Sequence, residues 1–245
     1  VVEPRRSRKI FEEETFFAIR ALNPTGRVQA GKVNFDVQKV APEALVQTLA
    51  GARGSEACRL VLLPGLATLP DGCEKAAANF VSAGGGLVFF LGEAVSAHEY
   101  NSRLGGMLPA VIERVEGDLE RPEHYWHLQD LDRSCPIFAA FSEPNSGDLL
   151  LPEFKRRFAL RPGKSSRVLA RFSDGMPMLV TRNIGGGQVL IVNTSADTSW
   201  TDWPKRKTFL PWMHGLAQFL AGEGEASIRD VPPATTGEHV DIDLG

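Results

Sequence analysis

Leu60-Val61-Leu62-Leu63-Pro64-Gly65 and Gly84-Gly85-Gly86-Leu87-Val88-Phe89-Phe90-Leu91-Gly92 decide the fold. Each holds a short, unbroken apolar run closed by proline or glycine. Such runs are strands buried on both faces, the usual setting of parallel strands. Between them, Pro70-Asp71 opens a helix that continues to Val81 and stops at Ala83-Gly84-Gly85-Gly86. Another helix starts at about Ser96. Apolar strands alternating with helices predict parallel strands, covered on each face and joined by right-handed crossovers.

Working upstream, residues 11–22 combine an acidic start (Glu12, Glu13, Glu14) with Phe16, Ile19 and Leu22 at helical spacing, and Asn23-Pro24 ends that helix. Val33 to Val40 alternates Val33, Phe35 and Val37 with polar neighbours, as a strand does, and Pro42 opens a short helix to Ala50. Downstream, Val168 to Phe172, Pro177 to Arg182 and Gln188 to Asn193 read as three strands. Ser173-Asp174-Gly175 and Ile184-Gly185-Gly186-Gly187 join them into an antiparallel meander. Lys207 to Ala221 carries Phe209, Met213, Leu216 and Leu220 on one stripe, the mark of a docked helix. Residues 106–165 are broken by Glu120-Arg121-Pro122, Cys135-Pro136, Glu143-Pro144-Asn145-Ser146-Gly147 and Arg161-Pro162-Gly163, and read as an irregular insertion. The expectation is one domain over 1–222, with 223–245 a linker or the start of a neighbouring domain.

Composition narrows the function. The chain of 245 residues is 43% hydrophobic and 23% charged, an ordinary globular balance. A net charge of −3 supplies no concentrated basic surface, which argues against nucleic acid as a partner. No apolar run reaches the ~18 residues that cross a bilayer, so no membrane contact by this stretch is expected. Three cysteines without a CxxC pair build neither a closed disulfide framework nor a four-cysteine zinc site. Val1 in place of a starting methionine, with no signal-peptide pattern, points to a piece of a larger protein.

Groups able to do catalysis are scarce. A nucleophile elbow follows a strand as Gly-x-[Ser/Cys]-x-Gly, and the turn after Leu91 reads Gly92-Glu93-Ala94-Val95-Ser96, with alanine at the nucleophile position. Cys58 and Cys73 read as small core residues, whereas Cys135 has candidate bases nearby in sequence, His124 and His127. Those histidines share a face only if their segment is helical, and the Tyr125-Trp126 between them reads as core, so no metal site is expected. Asp197-Thr198-Ser199-Trp200-Thr201 matches a metal-adhesion loop in letters. It follows the last strand instead of the first, and reads as a turn of self-bonding side chains. The glycine groups 84–86 and 185–187 precede or join strands and do not form a phosphate cradle. Arg5-Arg6-Ser7-Arg8-Lys9 and Lys205-Arg206-Lys207 read as solvated surface.

Several segments together resemble a recurring bacterial family. They are Phe16 to Pro24, Leu60 to Leu69, Gly84 to Gly92, Tyr100-Asn101 with Gly105-Gly106, and Gly187-Gln188-Val189-Leu190 running into Thr194-Ser195-Ala196-Asp197-Thr198-Ser199-Trp200. The family is the class I glutamine amidotransferase-like domain of BatA-like membrane proteins, and the resemblance spans about residues 10–222. It implies a flavodoxin-like, doubly wound α/β sheet, mostly parallel with an antiparallel meander near the C-terminus. It also implies a soluble domain of a membrane-anchored protein. It implies no activity. The family's enzymes place their cysteine where this chain has Gly92-Glu93-Ala94, and their His and Glu where it has Asn193 to Asp197.

The resulting expectation is a non-catalytic interaction or ligand-binding module, without cofactor, metal or catalytic residue. Its partner is a protein or another domain of its own chain. The surface is expected at the carboxyl ends of the parallel strands, at Gly65, Gly92, Glu93 and Ala94, with Ser195, Asp197 and Trp200 on the rim. The alternative is a hydrolase of amide or glycosidic bonds. It would use Cys135 with His124 or His127, or Glu93 and Asp197 as acid and base.

Overall fold

The computed structural model describes residues 1–3, 13–23, 35–51, 58–121, 124–142 and 147–221. Its helices are α1 (Phe16–Leu22), α2 (Leu45–Ala50), α3 (Cys73–Ser82), α4 (Ala97–Leu104) and α5 (Phe209–Leu220). Its strands are β1 (Leu60–Pro64), β2 (Gly86–Phe90), β3 (Ala110–Gly117), β4 (Leu128–Leu131), β5 (Arg156–Pro162), β6 (Arg167–Phe172), β7 (Pro177–Ile184) and β8 (Gly187–Val192). Expectations for Glu12, Pro24, Val33, the 5–9 basic group and the 223–245 linker lie outside the described residues.

Six strands form one sheet in the order β1-β2-β8-β7-β6-β4. Only the pairings of β1 with β2 and of β2 with β8 are parallel; those of β8 with β7, β7 with β6, and β6 with β4 are antiparallel. The expected flavodoxin-like, mostly parallel doubly wound sheet is therefore corrected to a mixed sheet. The cause is connection length. Gly185-Gly186 is a two-residue link with Gly185 at φ +58°, and so short a link can only reverse the chain. Parallel pairing needs a crossover of a dozen or more residues, which α3 supplies between β1 and β2.

The 106–165 stretch contributes more strand than its breakers suggest. It yields β3, the edge strand β4, a 3₁₀ segment at Pro136–Phe141 and the whole of β5. β3 and β5 pair antiparallel in a separate two-stranded sheet, with a bulge between Ile112 and Val115. Asn101 on α4 fastens the ribbon, donating from Nδ2 to the Ile112 carbonyl (2.6 Å) and accepting the Ile112 N–H (3.0 Å). Beside β1, the Val2 N–H donates to the Leu62 carbonyl (2.9 Å) and Val2 bridges Val40 in parallel.

Side-chain alternation places a core on each face of the main sheet. Leu62, Val88, Phe90, Leu190 and Val192 pack with α1, α5 and the Pro136–Phe141 segment. Val61, Leu63, Leu87, Phe89, Val189 and Ile191 pack with α2, α3 and α4. Both faces are buried, which explains why these strands carry no polar alternation. Gly187 sits where α3 meets β8. A side chain there would collide with the carbonyls of Val81 and Gly85, so only glycine permits the close approach.

Two side-chain assemblies brace this frame. On one face Trp212 packs against Trp203 (ring centroids 4.3 Å apart), Phe209 (5.9 Å) and Phe90 (6.4 Å). In the other assembly Arg157 on β5 is buried yet charged. Its two terminal nitrogens donate to Asp174 at 2.6 and 2.5 Å, one also reaches Glu116 at 3.2 Å, and the guanidinium lies 4.0 Å from the Trp126 ring centre.

Candidate functional site

The three parallel strands end at one edge, and their ladder runs slightly past them. The Gly65 N–H donates to the Phe90 carbonyl and the Leu91 N–H to the Val192 carbonyl, both at 3.0 Å. This carries Gly65, Gly92 and Ser195 to one spot: a methyl placed on Gly92 would lie 3.7 Å from Ser195 Cβ and 3.9 Å from Gly65 Cα. Gly65 has φ +52°, and a side chain on it would fall on the Glu14 carboxylate, which closes this corner from above.

The rim is a connected network. Ser195 Oγ accepts the Trp200 N–H (3.1 Å) and donates to the Asp197 carbonyl (3.2 Å). Asp197 Oδ1 accepts from the Ser199 N–H (3.0 Å) and Oγ (2.6 Å), a self-bonding turn. Trp200 is buried, stacks on Phe158 at 5.5 Å, and donates from Nε1 to Glu93 Oε2 (3.2 Å). The same oxygen accepts from Arg156 Nη1 at 2.6 Å. The fold thus brings together Gly65, Gly92, Glu93, Ser195, Asp197 and Trp200, and leaves Ala94 exposed beside them.

Sequence reasoning missed three contributors. Arg156 follows a lysine in the broken region and carried no signal. Glu14 stands in an acidic run expected to form a helical first turn, but it precedes α1. Asn193 is fully buried. It donates from Nδ2 to the carbonyls of Phe158 (2.8 Å) and Pro177 (2.9 Å) and accepts the Phe158 N–H (2.8 Å), tying β5 and β7 to the end of β8.

No side chain of this rim forms a nucleophile–base pair. Ser195 Oγ bonds only to backbone, and Glu93 Oε2 and Asp197 Oδ1 already hold donors. His127 donates from Nδ1 to the Pro152 carbonyl (3.0 Å). Cys135 is buried, and burial pushes its thiol up from the ordinary value, the opposite of an activated thiol. Burial likewise raises Cys73 to about 11. Among the described residues no group of His, Cys, Asp and Glu could hold a metal ion. Iodoacetamide at pH 7.4 is therefore expected to label the exposed Cys58 in the native protein, and Cys73 and Cys135 only after unfolding. Mass spectrometry reads this directly, and fast native labelling of Cys135 would contradict the packing.

No family model and no curated protein matches the sequence. Solved structures do match its fold. One is a cytoplasmic protein of Salmonella typhimurium, STM3548, with TM-score 0.65 and 13% identity over 85% of this chain and 87% of that one. A second, cytoplasmic protein STM1381 from Salmonella typhimurium LT2, has TM-score 0.55 and 19% identity over 86% and 85%. The third is the β-galactosidase from Rahnella sp. R3, with TM-score 0.58 and 16% identity over 84% of this chain and 26% of the enzyme. The likeness is one of fold. The expected membership of the BatA-like, amidotransferase-like family is corrected by these neighbours, which are two proteins described as cytoplasmic and a glycosidase. The membrane attachment that the resemblance implied loses its support with it. Among the described residues no helix is long and apolar enough to cross a membrane.

Proposed function

We propose that this chain is a non-catalytic interaction or ligand-binding module acting through the rim built by Glu93, Ala94, Arg156, Asp197 and Trp200. The observation that carries the reading is that network. Its polar side chains bond to one another and to backbone, giving a braced surface with an exposed ion pair, in place of a nucleophile poised beside a base. Its partner is a protein or another part of a larger polypeptide. The β-galactosidase from Rahnella, in which this fold spans about a quarter of the chain, supports the use of such a unit inside a larger protein.

A photo-crosslinking amino acid placed at Ala94 captures the partner, and titration calorimetry of the purified pair then tests the surface. Glu93→Arg is expected to weaken binding by about tenfold or more, since it sets like charge against Arg156 and breaks the Trp200 contact. Unchanged affinity in Glu93→Arg and in Ala94→Trp would remove the rim from the proposal. Hydrolysis of an amide or glycoside by the wild type, abolished in Glu93→Gln, would overturn the non-catalytic reading.

A further inference from the structure

A mostly apolar cavity lies away from the rim. Its volume is about 310 Å³, and it opens beside the amino-terminal end of β1, where α1 and α5 end and the 35–40 segment passes. Its walls are mostly apolar, with Leu22, Val37, Leu62 and Ala217 among them, and Gln38 and Thr48 add polar groups. The apolar part of this lining outweighs the polar part, which suits an aliphatic chain with one polar end. The volume is at the small end for ligand pockets, which limits the guest to a short chain.

Two cations stand by the cavity, the Val1 ammonium, which donates to the Gln38 carbonyl at 2.8 Å, and the Arg59 guanidinium. Arg59 lines the cavity, is exposed, and has no carboxylate within ion-pair distance among the described residues. The acidic lining residue, Asp36, accepts from Gln38 Nε2 at 3.4 Å. Cys58, the exposed thiol, lines the same opening. From the mostly apolar walls and an Arg59 guanidinium without an ion-pair partner among the described residues, we infer that this cavity binds a medium-chain aliphatic carboxylate, its tail inside and its head group on Arg59. The inference is independent of the proposed rim.

Calorimetry on the full chain with octanoate, decanoate and decanol tests it, alongside the rate of Cys58 alkylation. Affinity is expected to rise about fourfold per added methylene, as burial of each one predicts. Decanoate should bind about tenfold tighter than decanol, and Arg59→Gln, a surface change, should erase that preference while sparing the decanol affinity. Bound decanoate should slow alkylation of Cys58. Ala221→Trp, which fills the opening from the end of α5, should abolish both effects. Absence of decanoate binding would overturn the inference and mean that the chain fills the cavity itself. Equal affinity for decanoate and decanol, or binding indifferent to Ala221→Trp, would overturn it equally.

Discussion

Replacing Trp212 with alanine is expected to destabilise the protein by about 4 kcal/mol, the range for removing a fully buried tryptophan. Trp212 has no exposed surface and joins three elements: its own helix α5, Phe90 on β2, and Trp203 in the segment before α5. The void it leaves cannot collapse easily, because Phe209 and Trp203 are held by further rings. Trp212→Phe separates packing from polarity. The indole Nε1 is buried without a hydrogen-bond partner, so phenylalanine loses volume but also removes an unmatched donor. That variant should cost about 1 kcal/mol net. Urea unfolding followed by circular dichroism reads both, and an alanine variant as stable as the phenylalanine one would refute this account of the core.

Arg157→Ala is expected to cost about 3 kcal/mol, at the lower end for breaking a buried ion pair, because Asp174 and Glu116 can regain water. Arg157→Lys should recover only part of this, since an ammonium can neither bridge both Asp174 oxygens nor lie flat on Trp126. Arg157→Met should be milder than alanine, as it keeps the contact with Trp126 and Phe172 without a buried charge. Acid titration adds a second test. The Arg157 hydrogen bond holds the Asp174 carboxyl below its ordinary value of 3.8. A depressed folded value means that the stabilisation is complete above the unfolded value and is lost as pH falls through the folded one. The stability of the wild type should therefore decline below about pH 5 with a component missing in both Asp174→Asn and Arg157→Met. Parallel acid limbs in all three proteins would show that the pair contributes no stability.

The legible part of the fold was the part written in local pattern. β1 and β2 could be found because unbroken apolar runs have few other homes, and the helix after Ser96 because Ser96 Oγ caps it by accepting the Glu99 N–H. The sheet's mixed character was not legible as a whole. Meander turns announce reversal, but nothing in the sequence says that β4 joins at the far edge or that β3 and β5 leave the sheet together. The rim was legible in position, because strand ends converge wherever parallel strands are neighbours. Its chemistry was not. Arg156 and Arg157 adjoin in sequence, yet one pairs with Glu93 at the rim and the other is buried against Asp174, Glu116 and Trp126. Only distant partners decide which arginine is buried, and no local spacing records them. The short motifs behind the family resemblance failed for the same reason: strand-end glycines and a Ser/Asp turn recur wherever this geometry does.

β8 has a parallel neighbour on one side and an antiparallel neighbour on the other, and this gives synthesis a deadline. β2 emerges from the ribosome about a hundred residues before the strand that will flank it, so its inner edge waits unpaired through much of translation. The hairpins formed by β6, β7 and β8 close over a few residues each and need no such wait. The nascent chain should therefore resist protease only once residues near 192 have cleared the exit tunnel. Until then it is a client for whatever shields apolar strand edges in the cell.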